Sequence, residues 1–123
     1  MIAEDEEPIR RGLVYTIPWK KMDCCVVGEA RNGMEGAQLI REKHPDIVLV
    51  DINMPVMDGY EATQEIRKYS AKVPIIAVTA FAYASDEQRV MENGFDGYMP
   101  KPINARQLKA QITEIMQKRI ILL

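Results

Sequence analysis

Glu4, Asp5, Asp51, Thr79 and Lys101 are the residues of this 123-residue chain whose types and spacing can do chemistry together. Asp51 closes the apolar run "IVLV" at 47–50, where a carboxylate costs solvation free energy unless something pairs with it or uses it. Glu4 and Asp5 follow the apolar stub at residues 1–3, Thr79 follows the run at 74–78, and Lys101 comes just after the run at 95–99. Three carboxylates brought together repel, and desolvation makes their joint ionisation costlier. A divalent cation relieves this. Acid oxygens with no His or Cys nearby select a hard ion, Mg²⁺ or Mn²⁺, which keeps several of its waters. On that reading Asp5 and Asp51 are direct ligands, the backbone carbonyl of Asn53 is a third, and Glu4 orients a water held by the ion.

Carboxylates form aspartyl-phosphates, so Asp51 can act as a nucleophile toward phosphorus. Phosphoryl transfer asks the protein mainly for in-line positioning and charge stabilisation. The Lys101 ammonium suits one phosphoryl oxygen, and the Thr79 hydroxyl or nearby backbone N–H groups suit another. Pro102 follows Lys101, and an X–Pro bond can be cis, which would aim the lysine inward. A phosphatase working through the same intermediate usually has a general acid two residues after the nucleophile. That position is Asn53, which cannot carry protons in that role.

The elements that must position these residues alternate. Strands are expected at 1–3, 24–29, 47–50, 74–78 and 95–99. The helices between them start at Pro8, Asn32, Gly59, Ser85 and Asn104, with Ile9, Leu13 and Ile17 as the first helix's apolar face. The run at 47–50 does not alternate in polarity, as expected of a strand buried on both faces. Five strands joined by crossover helices imply a doubly wound α/β domain with a parallel sheet. Such folds bind ligands beyond the carboxyl ends of the strands, where all five polar residues fall.

Composition narrows the classes further. A formal net charge of −2 leaves no basic surplus for a phosphate backbone, so direct nucleic-acid binding is not expected. No apolar run is long enough to span a bilayer, and no export signal opens the chain. Cys24 and Cys25 are adjacent, which suits neither zinc nor a mutual disulfide, and they read as reduced strand residues of a cytoplasmic protein. An acidic run at 4–7 would repel a flavin phosphate. Met54 and Met57 fall on the loop after Asp51, where they are expected to shield it.

The segments "IAEDEEPIRRGL", "PDIVLVDINMPVMDGYEA", "PIIAVTA" and "NGFDGYMPKPI" together resemble the receiver domain of bacterial two-component response regulators. The resemblance covers essentially the whole length, with the domain expected over 1–119 and an apolar tail at 120–123 opening a linker to an output module. It implies a flavodoxin-like (βα)5 three-layer sandwich with strand order 2-1-3-4-5. It implies that Asp51 is the phosphoacceptor, charged from the phosphohistidine of a sensor histidine kinase or a histidine phosphotransfer domain, so the domain is regulatory rather than an enzyme. Glu4 and Asp5 become the acidic metal pair, Thr79 the switch hydroxyl, Lys101 the phosphate-contacting lysine and Tyr98 the switch aromatic. The surface of the fourth helix, fifth strand and fifth helix would then control an output domain, typically transcriptional, or a homodimer. Asn53 and Phe81 would flank the pocket and tune water access. Three features depart from the family pattern: Glu4 stands where aspartate is common, Pro100 stiffens the approach to Lys101, and the first strand is short, as in a trimmed N-terminus. The first half resembles receivers that precede helix-turn-helix output domains, and the second half resembles those attached to hybrid kinases.

Overall fold

The computed structural model describes residues 1–54, 57–80 and 84–121, with residues 84–86 and 119–121 described by backbone alone. Five parallel strands, β1 (Ile2–Ala3), β2 (Glu29–Ala30), β3 (Val48–Asp51), β4 (Ile75–Thr79) and β5 (Gly97–Pro100), lie in the order β2-β1-β3-β4-β5. The strands alternate with α1 (Glu7–Thr16), α2 (Gly33–Lys43), α3 (Gly59–Tyr69), α4 (Ala84–Glu92) and α5 (Ala105–Ile121). The expected fold class is therefore the observed one.

β3 is buried at every position, and its side chains divide between the two faces as strand geometry requires. Val48 and Val50 pack with Ile40, Ile66 and Val90 on the face covered by α2, α3 and α4. Leu49 packs with Ile17, Leu108 and Ile112 on the face covered by α1 and α5. This produces three layers with an apolar core on each side of the sheet.

Helix boundaries follow local chemistry. Asn32 caps α2 by accepting from the Glu35 N–H at 2.8 Å, and Asp58 and Glu61 form a capping box at the start of α3. Gly59 is needed at that start. A Cβ there would lie 2.6 Å from Ile52 Cα and 2.7 Å from the Asp51 carbonyl oxygen, so only glycine lets α3 begin directly against the end of β3.

Three expectations need correction. Residues 24–28 do not join the sheet, because β1 offers only Ile2 and Ala3, which pair with Glu29 and Ala30. A 3₁₀ turn at Trp19–Met22 fills part of the connection before them, and Cys24 and Cys25 are free thiols outside any strand. On α1 Arg10 is buried and Leu13 and Val14 are half-buried against the core that holds Ile17 just past the helix, while Ile9, also half-buried, packs with neither core cluster. Met54, expected to shield Asp51, is buried in the core with Ile40 and Ile66. The last helix runs to Ile121 and takes in part of the apolar tail, while Leu122, Leu123 and Phe81 lie outside the described residues. Among the described residues no helix is long and apolar enough to cross a membrane.

Candidate phosphoacceptor site

All the acids expected to converge do so. β1 lies between β2 and β3, so the chain leaving β1 at Glu4-Asp5 emerges beside the end of β3 at Asp51. Glu4, Asp5 and Asp51 each bring one carboxylate oxygen to within 4.8 Å of the others. Glu4 and Asp51 are buried, at 2% and 4% exposure, and Asp5 is half-buried.

Lys101 completes the cluster from the end of β5. Its backbone N–H donates to the Thr79 carbonyl at 2.7 Å, which continues the β4–β5 pairing to the site. Its Nζ donates to Asp51 Oδ2 at 2.9 Å and lies 3.1 Å from both carboxylate oxygens of Glu4. The other oxygen of Asp51, Oδ1, accepts from the Asn53 N–H at 3.0 Å. Asn53 itself is exposed on the loop above, and the Lys101–Pro102 peptide is cis. Thr79 is buried at the end of β4. Tyr98 is half-buried on β5 opposite Ala77, against the core on the α2–α3–α4 side.

Electrostatics follow from this crowding. Burial, reinforced by the adjacent Asp51, pushes the Glu4 carboxyl up to about 8 despite Lys101 pulling it down. Burial opposes the charge on Lys101 as well, yet its hydrogen bonds to Asp51 and Glu4 outweigh that and raise its pKa.

Whether the site suits a metal can be judged from Asp5. Its Oδ1 is buried and has no hydrogen-bond partner, an arrangement that is costly unless a cation completes it. The donor set is entirely carboxylate, with backbone carbonyls on the loop beside it, which fits a hard divalent ion.

One site residue was missed by sequence reasoning. Arg10, 7% exposed on α1, donates through Nη1 to the Glu4 carbonyl oxygen at 3.0 Å, and its Nε lies 3.4 Å from Glu29 Oε1. Its place at three-, four- and seven-residue spacing from Leu13, Val14 and Ile17 was the available signal.

A parallel sheet in this order, with acids and a lysine at its carboxyl edge, defines the class of flavodoxin-like phosphoryl-accepting signalling domains. The family model described as response regulator receiver domain matches residues 1–113, and the chain belongs to that family. It is 42% identical over 113 residues to the sensor histidine kinase RcsC of Escherichia coli K12, covering 92% of this chain but only 12% of RcsC. It is 31% identical to the chemotaxis protein CheY of Halobacterium salinarum, covering 94% of this chain and 95% of CheY. A LuxR-family two-component response regulator from Aurantimonas superposes with a TM-score of 0.87 at 30% identity, covering 96% of this chain and 84% of that one. The domain's function is that of its family, accepting a phosphoryl group in two-component signal transduction.

Proposed function

We propose that Asp51 is the phosphoacceptor of this domain, and that Asp5, Asp51 and the Asn53 carbonyl hold Mg²⁺ or Mn²⁺ beside it. Glu4 would orient a water held by that ion. The observation that carries the reading is the meeting of Lys101 Nζ with Asp51 and Glu4 next to the orphaned Asp5 oxygen.

Transfer forms a bond between an Asp51 carboxylate oxygen and phosphorus as the bond from phosphorus to a donor imidazole nitrogen breaks. The electron pair leaves with the imidazole. When bound, the metal neutralises charge on the phosphoryl oxygens. Lys101 releases Asp51 Oδ2 and takes up a phosphoryl oxygen, and Thr79 donates its hydroxyl to another. Movement of Thr79 opens space for Tyr98 to turn inward and remodels the surface of α4, β5 and α5. Phosphorylation thus shifts an equilibrium between two arrangements of that surface.

The donor is a sensor histidine kinase or a histidine phosphotransfer domain, and the reader is an output domain or a second copy. A transcriptional output is supported by the similarity to relatives described as transcriptional regulators. The domain acts as a regulatory switch without turnover of free substrates. Its acidic site and net charge of −2 argue against direct nucleic-acid contact. Free Cys24 and Cys25 support a reducing, cytoplasmic setting. The domain is proposed to cover residues 1–119, with the tail leading toward an output module.

Intact mass after acetyl phosphate treatment tests this reading. The parent gains one phosphoryl group with Mg²⁺ and none in chelator, and Asp51→Asn gains none in either. Equal labelling of Asp51→Asn sinks the assignment.

A further inference from the structure

A buried arginine on the first helix has a reach that packing alone does not account for. Arg10 is 7% exposed, yet its guanidinium meets two groups, one just past the end of β1 and one at the start of β2. Nη1 donates to the Glu4 carbonyl oxygen at 3.0 Å, and Nε lies 3.4 Å from Glu29 Oε1 at the start of β2, an ion-pair approach to an oxygen that accepts no hydrogen bond. Arg11 Nη1 holds the other oxygen of Glu29 at 2.9 Å, so the carboxylate facing Arg10 is itself fixed.

The consequence lies in the Glu4 backbone. Its N–H donates to the Ala30 carbonyl at 2.9 Å, across to β2. β1 ends at Ala3, so no strand partner continues beyond that bond. The Glu4 carbonyl, which would otherwise be the first free group of the loop, accepts from Arg10 instead. That carbonyl is one half of the planar peptide whose other half is the Asp5 nitrogen. Holding it fixes the direction in which the chain enters Asp5, and with it the carboxylate whose Oδ1 is buried and unpartnered.

We infer that Arg10 is a positioning residue for the acidic pair, locking the Glu4–Asp5 peptide so that Asp5 is set in advance for the divalent cation. The inference rests on the metal site proposed above. Glu29 is the second half of the device. Its charge faces Arg10, so the guanidinium is balanced and does not compete with the metal as Lys101 does. Lysine cannot reproduce the arrangement, because a single ammonium nitrogen cannot hold the carbonyl from the Nη1 position while a second, rigidly joined nitrogen faces Glu29. Groups that orient a metal ligand without touching the metal typically contribute tenfold or more to affinity.

The test is Mg²⁺ affinity by calorimetry on the whole chain, read beside thermal unfolding in chelator. Arg10→Ala is expected to bind Mg²⁺ about tenfold more weakly than the parent. Arg10→Lys is expected to recover only part of that loss. Glu29→Gln keeps the bond to the Glu4 carbonyl and is expected to bind more tightly than Arg10→Ala. Should Arg10→Ala not fold, Arg10→Lys and Glu29→Gln carry the comparison. Parent-like Mg²⁺ affinity in a folded Arg10→Ala, or in Arg10→Lys where alanine does not fold, overturns the inference and leaves Arg10 as packing alone. Asp5→Asn separates this from the underlying reading. Undiminished Mg²⁺ binding by that variant removes the metal site itself.

Discussion

Lys101 Nζ lies 2.9 Å from Asp51 Oδ2, and it arrives there from the far end of the sheet, fifty residues along the chain. The same ammonium spans to Glu4 at 3.1 Å, so one lysine head covers two of the three acids that a cation would use. Lys101 and a divalent ion are therefore rivals for the same charge. The rivalry is unequal: the lysine is tethered and single-charged, and it leaves Asp5 Oδ1 without a partner.

Removing the rival has two opposite effects. Lys101→Met is expected to bind Mg²⁺ at least as tightly as the parent, because no ammonium has to be displaced. In chelator the same variant loses stability, since breaking a buried ion pair from one side costs about 3–5 kcal/mol. The side chain of Lys101 is 17% exposed, which places the loss at the lower end. Calorimetric Mg²⁺ titration and urea unfolding check the two arms.

The contact between Gly59 and the end of β3 makes a second prediction. Alanine at 59 would push its Cβ against Ile52 Cα and the Asp51 carbonyl oxygen, both backbone atoms with no rotamer to yield. Overpacking of this kind costs about 1–3 kcal/mol. Gly59→Ala is expected to lose stability in that range and to label with acetyl phosphate less well than the parent, because the strain falls on the peptide that carries Asp51. A variant with unchanged urea midpoint would show that α3 can back away from β3.

How much of this was legible in the sequence depends on what each residue answers to. "IVLVD" declared itself because a strand buried on two faces must be apolar throughout, which made the terminal aspartate conspicuous. Asn32 marked the start of α2 by its capping chemistry alone. Residues 24–28 looked like strand because they are apolar, but pairing length is set by the neighbour, and β1 supplies only two residues. Arg10 went unread since a cation is not expected in a buried stripe. Its reason for being there, the Glu4 carbonyl, lies at the end of a different element. Met54 sits on the loop that follows Asp51, and its side chain packs in the core.

The adjacent cysteines are chemically unequal. Cys25 is exposed, whereas Cys24 is half-buried and its thiol donates to the Met22 carbonyl at 3.3 Å. Burial, with the nearby Asp23 charge, raises the Cys24 thiol above its ordinary value of 9.0. The thiolate is the reactive form, so at neutral pH Cys25 is expected to be alkylated first and Cys24 in a distinctly slower phase. Timed iodoacetamide labelling followed by mass spectrometry resolves the phases, and Cys25→Ser should leave only the slow one. A single fast phase in that variant would contradict the hydrogen bond to Met22.

Glu4 links pH to the metal. Burial and then Asp51 lift its carboxyl from the ordinary 4.5 to about 8, so the folded protein holds a proton that the unfolded chain releases within that interval. Stability depends on the difference in protons bound, and here the native state binds more. The contribution is therefore fully present below 4.5 and is lost as pH rises through about 8. The raised pKa of Lys101 acts only above its ordinary 10.5, outside this window. In chelator the melting temperature is expected to fall across the interval, and Glu4→Gln should flatten that slope. Mg²⁺ opposes this dependence, because it favours the ionised cluster that burial makes unfavourable. The stabilisation gained from a fixed excess of Mg²⁺ should therefore grow from the acid end of the window to the alkaline end. Thermal melts at matched ionic strength, with Mg²⁺ or chelator at each pH, measure both slopes. A Mg²⁺ gain that stays flat with pH, alongside a flat slope in chelator, would mean that Glu4 is already ionised before the metal arrives.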